Sequence, residues 1–153
     1  MTAGPGLDPM EIAFQEAAAA AERGEVPVGA VVVERATGTV LARAGNRVEA
    51  DNDPTAHAEI LALREACRMR GEPRLPDCDL YVTLEPCAMC ATALSHARIA
   101  RVVYGAYDPK GGGVEHGARI YDRDTCHHRP DVVGGVQESR ASSMLKRFFE
   151  EKR

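Results

Sequence analysis

The sequence lacks several features that would assign it to particular classes of protein. No run of apolar residues is long enough to cross a bilayer, and the first residues lack the basic-then-apolar pattern of a secretory signal. Internal repeats and low-complexity linkers are also absent, so the 153 residues are expected to form a single domain, 1–153. These absences favour a protein of the cytoplasm with no membrane partner.

An excess of basic residues is missing as well. The net charge is −4, whereas proteins that bind nucleic acids usually carry a basic surface. The charge argues against extended, non-specific backbone binding, because such binding depends on neutralising many phosphates. A small and locally basic RNA site is still compatible with this composition.

The cysteines do not form the even set typical of a disulfide-stapled secreted domain. There are five, and two of them stand in a Cys-x-x-Cys, which predicts reduced thiols that are free for a metal. Cys67 and Cys78 are expected to be small buried side chains, and Met69 and Met89 to fill the core or its edge. The Cys-His-His of residues 126–128 is too tightly spaced to place three ligands on one ion, so a surface or substrate-contacting loop is expected there.

Hydrophobic periodicity predicts helices that alternate with strands. Asp8 as N-cap and Pro9 as the first helical residue begin a helix that ends at about Arg23. The elements expected after it are a strand hairpin at 26–33 and 39–44, a helix at 55–70, a strand at 79–84, a helix at 86–97, a strand at 99–104, a short strand at 132–136 and a closing helix at 138–151.

This order of elements predicts a protein of the α/β class, with three α/β/α layers around a central mixed five-stranded sheet. Residues 111–130 are expected to be mainly a loop with one short helical turn. The side chains of the closing helix expected to face inward are those of Met144, Leu145, Phe148 and Phe149.

The most informative pattern is His57-Ala-Glu59, followed further along the chain by Pro86-Cys87-Ala-Met-Cys90. One histidine and two cysteines suit a tetrahedral zinc site whose fourth position is left to water. The ligands lie in the first turns of two predicted helices, where the unpaired N–H groups favour thiolate over thiol. Because the motif offers no fourth protein ligand, we interpret the site as catalytic rather than structural.

Glu59 stands two residues after the histidine, in an otherwise apolar helix turn. As a general acid and base it would take a proton from the attacking water, deliver it to a ring nitrogen and later protonate the leaving amine. The combined pattern, H-x-E followed by P-C-x-x-C, is the signature of zinc-dependent nucleobase deaminases.

Segments on both sides of this pattern resemble the bacterial tRNA adenosine deaminases, and the resemblance extends over nearly the whole chain. The similar segments are 25–33, Asn46, 52–60, 80–90, 97–99, 103–106, 108–110 and the Phe148-Phe149 pair with its basic neighbours. The resemblance implies a cytidine deaminase-like fold and the hydrolysis of adenosine to inosine at the first anticodon position of a tRNA, the arginine tRNA with anticodon ACG. It also implies one zinc ion per subunit, a homodimer, and an anticodon loop whose target base is flipped into the pocket.

Matched by position, the resemblance implies roles for several further residues. Asn46 would hold the nucleoside by its polar edge or ribose, the backbone N–H of Ala58 would reach the base, and Asp108 would contact the sugar-phosphate. Val28 and Leu84 would form the pocket walls. The basic residues that would contact phosphates are Lys110, Lys146, Arg147, Lys152 and Arg153.

Two segments, 111–116 and 124–128, depart from the enterobacterial form of the family, which leaves open the tRNA features that are read. Two alternative functions are compatible with the motif at this stage. A deaminase of a free base or nucleoside, of guanine or cytosine type, needs only a small pocket and suits the acidic net charge. A non-catalytic, zinc-stabilised RNA-binding subunit is the other, although such a protein has no use for Glu59.

Overall fold

The structure is a computed structural model that describes residues 8–152. Its helices and strands in chain order are α1 (Pro9–Glu22), β1 (Gly29–Glu34), β2 (Val40–Gly45), α2 (Ala58–Arg70), β3 (Cys78–Leu84), α3 (Ala88–His96), β4 (Arg101–Ala106), β5 (Asp131–Val133) and α4 (Glu138–Glu151). A single turn of 3-10 helix, Ile120–Asp122, interrupts the long segment between β4 and β5. Over the described residues, none of these helices combines the length and apolar character that a membrane crossing needs.

The five strands form one mixed sheet in the order β2-β1-β3-β4-β5. Strand β1 is antiparallel to both of its neighbours, whereas β4 is parallel to β3 and β5. The parallel pairing of β3 with β4 brings their carboxyl ends together, so that Leu84 lies opposite Ala106. The segments that follow these two strands therefore meet at one edge of the sheet, where open α/β sheets commonly bind ligands.

Helices cover both faces of the sheet and confirm the three-layer arrangement expected from the sequence. On one face, Phe14 of α1 and Ala141 of α4 pack in a cluster with Val31 and Val103 of the sheet. The opposite face carries α2 and α3, whose apolar side chains form a second and larger cluster, which includes Leu80 of β3.

Helices α2 and α3 start later than expected, at Ala58 and Ala88 rather than at 55 and 86. Helix α2 begins after residue 55 because of a turn at Asp53. The Asp53 carboxylate accepts hydrogen bonds from the backbone N–H and the hydroxyl of Thr55, at 2.8 and 2.7 Å. This local turn competes with the helix, as Asp side chains commonly do. Strand β5 is also shorter than expected, because Gly134 and Gly135 follow it and Gly135 has a φ of +80°.

Three expectations about buried side chains are wrong. Met69 is 61% exposed because it stands in the last turn of α2, beyond Ala66, the last buried residue of that helix. Met89 is 37% exposed, since it lies about 100° around α3 from the buried Cys90.

Phe149 is 51% exposed. The covered side of α4 carries Ala141, Met144, Leu145 and the half-buried Phe148, and Phe149 lies about 100° around the helix from Phe148. Met144 and Leu145 do face the core, as predicted. Cys78 is buried as expected, whereas Cys67 is only partly buried.

Replacement of Leu80 by alanine tests the packing of the larger cluster. Leu80 has no exposed surface, so Leu80→Ala is expected to lower the free energy of unfolding by about 2–5 kcal/mol. The exposed Met69 is the control, and Met69→Ala is expected to change it by less than about 0.5 kcal/mol. Urea denaturation measures both values, and equal small effects would contradict the core assignment.

Candidate metal centre and active site

Two helix starts place the predicted metal ligands. His57 is the N-cap of α2 and Cys87 is the N-cap of α3, both with extended backbone, and neither side chain forms a capping hydrogen bond. Their side chains are therefore free to turn away from the helices and towards each other. Cys90 follows in the first turn of α3, which brings its sulfur back beside that of Cys87.

The three ligand atoms have the spacing of a tetrahedral zinc site. His57 Nδ1 lies 3.6 Å from the sulfur of Cys87 and 3.6 Å from that of Cys90, and all three atoms lie within 4.8 Å of one another. Tetrahedral bonds of ~2.3 Å to sulfur and ~2.0 Å to nitrogen would separate such atoms by ~3.5 Å. The donor set and its spacing thus fit zinc.

The pKa values of the two cysteine thiols are shifted in opposite directions. A hydrogen bond with Cys90, together with one from His57, lowers the pKa of the Cys87 thiol to about 4 despite its burial. The pKa of Cys90 is raised, because the neighbouring Cys87 thiolate and burial disfavour a second negative charge. The pKa of His57 is raised, chiefly by its hydrogen bond with Cys87. A divalent cation would pair with both thiolates and remove the cost of holding them together.

Glu59 lies two residues after His57, in the first turn of α2, and is 4% exposed. Burial raises the pKa of its carboxyl to about 7. A carboxyl with that pKa can both accept and donate a proton near neutral pH, which is what general acid-base catalysis requires. Its position beside the metal ligands agrees with the role that the sequence predicts for it.

A cavity of about 670 Å³, open to solvent on one side, lies over these residues. This volume is in the range of ~300–1,000 Å³ typical of small-molecule sites. Of the residues predicted from the sequence, those that line it are Val28, Asn46, His57, Glu59, Leu84, Cys87, Asp108 and Lys152.

Ala58, whose backbone N–H is predicted to reach the base, is joined to Asn46. Its backbone N–H donates a 2.8 Å hydrogen bond to the side-chain oxygen of Asn46, so it already has a partner within the protein. This bond fixes the Asn46 amide at the cavity with its oxygen turned towards α2. The amide NH₂ of Asn46 takes no part in this bond.

The last turns of helix α4 bring Phe148 and Phe149 to the cavity mouth, beside Lys152 at the C-cap of the helix. The helix is tied to α1 by Arg140, which forms hydrogen bonds of 2.6 and 2.9 Å with Glu11 and lies 4.0 Å over the ring of Phe14. Of the other basic residues predicted from the sequence, Lys110, Lys146 and Arg147 are exposed, and they do not line the cavity. Arg153 lies outside the described residues.

Residues 126–128 lie away from the cavity. The Cys126 thiol donates to the carbonyl of His128 at 3.1 Å, and the ring Nε2 of His128 lies 2.7 Å from the carbonyl of Ile99. The contact with Ile99, together with a 2.7 Å hydrogen bond from the Ser95 hydroxyl to the carbonyl of His128, holds the segment against the end of α3 and the turn before β4.

Sequence reasoning missed two buried carboxylates at the cavity, Glu25 and Glu85, each 2% exposed. Glu25 accepts the backbone N–H groups of Glu49 and Ala50 at 3.3 and 2.8 Å and so holds the loop after β2. The sequence did contain one signal for them, because each is a charged residue next to an apolar strand segment. A charged side chain that is buried beside such a strand needs hydrogen-bond partners.

Comparison with known proteins agrees with this geometry. The family model for the cytidine and deoxycytidylate deaminase zinc-binding region matches residues 7–106. The fold and the His-Cys-Cys group beside Glu59 thus define a zinc-dependent deaminase of the cytidine deaminase-like superfamily.

Proteins that are similar over most of this chain identify one family within this class. A tRNA-specific adenosine deaminase of Agrobacterium fabrum is 58% identical over 144 residues, which cover 94% of this chain and 93% of that protein. A solved structure from work on A-to-I editing by tRNA:A34 deaminases at the wobble position is 57% identical, with a TM-score of 0.87, over 90% of this chain and 98% of that one. The chain belongs to the family of bacterial tRNA-specific adenosine deaminases.

A more distant structure shares the fold. The guanine deaminase of Nitrosomonas europaea is 25% identical, with a TM-score of 0.75, over 97% of this chain and 85% of that one. The same scaffold therefore also occurs in a deaminase of a free base.

Proposed function

We propose that this chain converts adenosine to inosine at the first anticodon position of a tRNA, the arginine tRNA with anticodon ACG, by zinc-dependent hydrolysis. The observation that carries the proposal is the His-Cys-Cys group beside the buried Glu59, in a chain 58% identical to a tRNA-specific adenosine deaminase. Residues 1–153 would act as one deaminase domain. Its place would be the cytoplasm, where thiols stay reduced and tRNA is present.

His57, Cys87 and Cys90 would hold one zinc ion per subunit. Zinc with three protein ligands supplies an activated water at neutral pH. The two thiolates would balance the charge of the ion, and the N-terminus of α3 at Cys87 would stabilise the thiolate form.

Glu59 would move the protons of the reaction. Its carboxylate would take one proton from the attacking water and deliver it to N1 of the adenine ring, and would then move the proton of the new C6 hydroxyl to the amine that leaves C6 as ammonia. Adenosine and water are thereby converted to inosine and ammonia. The burial that raises the pKa of Glu59 to about 7 suits a group that must carry a proton in both directions.

Several side chains at the cavity would hold the flipped nucleoside. Val28 and Leu84 would form the apolar walls, the backbone N–H of Ala58 would reach the base, and Asn46 would offer its NH₂. Asp108 lies at the cavity on the segment after β4, where a sugar-phosphate would pass. Lys152 lines the cavity and would meet a phosphate, and the exposed Lys110, Lys146 and Arg147 would contribute positive charge further out.

Asn46→Asp tests the proposed donor. Aspartate keeps an oxygen for the Ala58 N–H but has no NH₂, so the local fold is expected to survive while substrate binding weakens. We expect KM for the tRNA to rise by about tenfold or more, because a site built around a hydrogen bond rejects the wrong partner strongly. Steady-state kinetics measure the change, and a KM equal to that of the wild type would contradict the role.

A homodimer is proposed as well, formed through the outer faces of α2 and α3. A groove there is lined by apolar residues of both helices, among them Leu63, Cys67, Ala93 and Ala97. Met89, on the same helix α3, is exposed in the single chain. The second copy would cover this surface, and light scattering measures the resulting molar mass.

The test of the proposed function is ammonia release from zinc-loaded protein given different substrates. An ACG-anticodon tRNA transcript is compared with the same transcript carrying GCG, and with free adenosine, guanine and cytosine. Release from the ACG transcript alone is the expected result. Release from a free base with both transcripts inert would instead assign a base deaminase, as the similarity to guanine deaminase allows.

A further inference from the structure

Glu85 is a buried carboxylate with no part in the proton transfers described above. It lies between the end of β3 and Pro86-Cys87, and its backbone N–H donates to the carbonyl of Ala106 at 2.8 Å. Its side chain has no exposed surface, which is costly for a charged group unless hydrogen bonds replace water.

The partners of this carboxylate all come from the segment after β4. Oε1 accepts the backbone N–H of Asp108 at 3.0 Å and lies 2.8 Å from Nδ1 of the His116 ring. Oε2 accepts the N–H groups of Val114, Glu115 and His116 at 3.1, 2.9 and 3.1 Å. One side chain thus fixes both ends of the segment 108–116, which we call the mouth loop.

The mouth loop is also closed on itself and pressed against the metal-binding turn. Asp108 accepts the backbone N–H groups of Lys110 and Gly111, at 3.2 and 2.9 Å. A Cβ at Gly112 would lie 2.5 Å from Oε2 of Glu85, and a Cβ at Gly113 would collide with the backbone of Cys87 and Ala88. The loop therefore fits between Glu85 and the Cys87 turn only because positions 112 and 113 are glycine. Its hydrogen bonds to the Glu85 carboxylate then keep it there.

We propose that Glu85, assisted by His116, is a positioning residue that holds the mouth loop at the edge of the active-site cavity so that Asp108 and Lys110 meet the substrate. The inference rests on the proposed function for the nature of that substrate, whereas the hydrogen bonds themselves do not depend on it. Asp108 and Gly111 line the same cavity as His57 and Glu59, so a displacement of the loop reshapes the mouth without touching the proton-transferring group.

A carboxylate is the side chain suited to this task. Four backbone N–H groups converge on it, and only a group with two acceptor oxygens and no hydrogen can receive them all. Glutamine has the same shape, but its NH₂ would face N–H donors at one of the two positions. Glu85→Gln consequently loses bonds at one end of the loop while the volume of the side chain is kept.

The experiment combines amide exchange with kinetics on E85Q. Hydrogen exchange of the zinc-loaded protein without substrate is expected to show loss of protection at one end of the mouth loop, either at the amide of Asp108 or at those of Val114, Glu115 and His116. With the substrate that the wild type deaminates, KM is expected to rise by about tenfold or more while kcat changes by less than about threefold, because the loop positions substrate and takes no part in the chemistry. Zinc content is expected to equal that of the wild type.

Asp79→Asn is the matched control. Asp79 is a buried carboxylate at the other end of the same strand, paired with Arg35 and Arg101. Its loss is expected to lower stability without changing KM. If E85Q does not fold, Gly112→Ala displaces the loop while leaving Glu85 in place, and the same rise in KM is expected.

The outcomes separate the two proposals. Unchanged protection of the loop amides in E85Q, or a fall in kcat at constant KM, would overturn the positioning role. A wild-type protein that deaminates a free base in place of tRNA would overturn the proposed substrate, while the amide exchange would still decide the role of Glu85.

Discussion

Glu59→Gln is expected to abolish deamination while the protein stays folded and retains its metal. General acid-base catalysis by one group contributes roughly 10²–10⁴-fold, and in the proposed mechanism the same carboxylate serves several proton transfers. We therefore expect kcat/KM to fall by at least about 10³-fold. Glutamine occupies the same volume and cannot exchange a proton, so the loss reports the chemistry rather than the packing of α2.

The control for this variant is Glu65→Gln, on the same helix. Glu65 is 44% exposed and pairs with Arg68 on the surface, so its loss is expected to leave both rate and zinc content unchanged. Rates are measured as inosine formed, with zinc determined by elemental analysis of the same samples. A Glu59→Gln variant with a near-normal rate and full zinc content would contradict the assignment of Glu59.

Cys90→Ala is expected to lose zinc and activity together. Cys90 has no exposed surface and is one of the three proposed ligands, and the two remaining ones would not hold the ion in a tetrahedral site with one open position. We expect less than about a tenth of the wild-type zinc content and a loss of activity of about 10³-fold or more. Chelation of the wild-type protein is expected to produce the same loss, reversibly on addition of zinc.

Cys126→Ala is the matched control for the metal. Cys126 contacts Ser95 and His128, away from the His57 group, so its loss is expected to leave zinc bound. Elemental analysis after dialysis measures the content of both variants. Full zinc content in Cys90→Ala, or loss of zinc in Cys126→Ala, would contradict the ligand set.

The metal centre could be predicted from the sequence because its signal is local. The spacings of His57 to Glu59 and of Cys87 to Cys90 are set within single turns of helix, and the chemistry of the residue types limits what such spacing can bind. The order of helices and strands followed from periodicity in the same way. Helix starts were less accurate, since the turn at Asp53 and the N-cap positions of His57 and Cys87 depend on backbone conformation.

The parts that could not be predicted depend on contacts between distant residues. The mouth-loop partners of Glu85 lie 23 to 31 residues further along the chain, and nothing beside Glu85 in the sequence indicates them. The bond between Ala58 and Asn46, 12 residues apart, is likewise a contact that the neighbours of neither residue indicate. The exposure of Met69 and Phe149 depends on where a helix ends or turns away from the sheet, which residue type alone does not determine.

The most direct measurement of the central claim is the position of inosine in a tRNA treated with the zinc-loaded protein. Sequencing reads inosine as guanosine, so each adenosine of an ACG-anticodon tRNA can be followed separately. Conversion at the first anticodon position, with every other adenosine unchanged and no conversion by the Glu59→Gln variant, is the predicted result. An unedited anticodon, from protein that binds zinc and releases ammonia from a free base, would contradict the account.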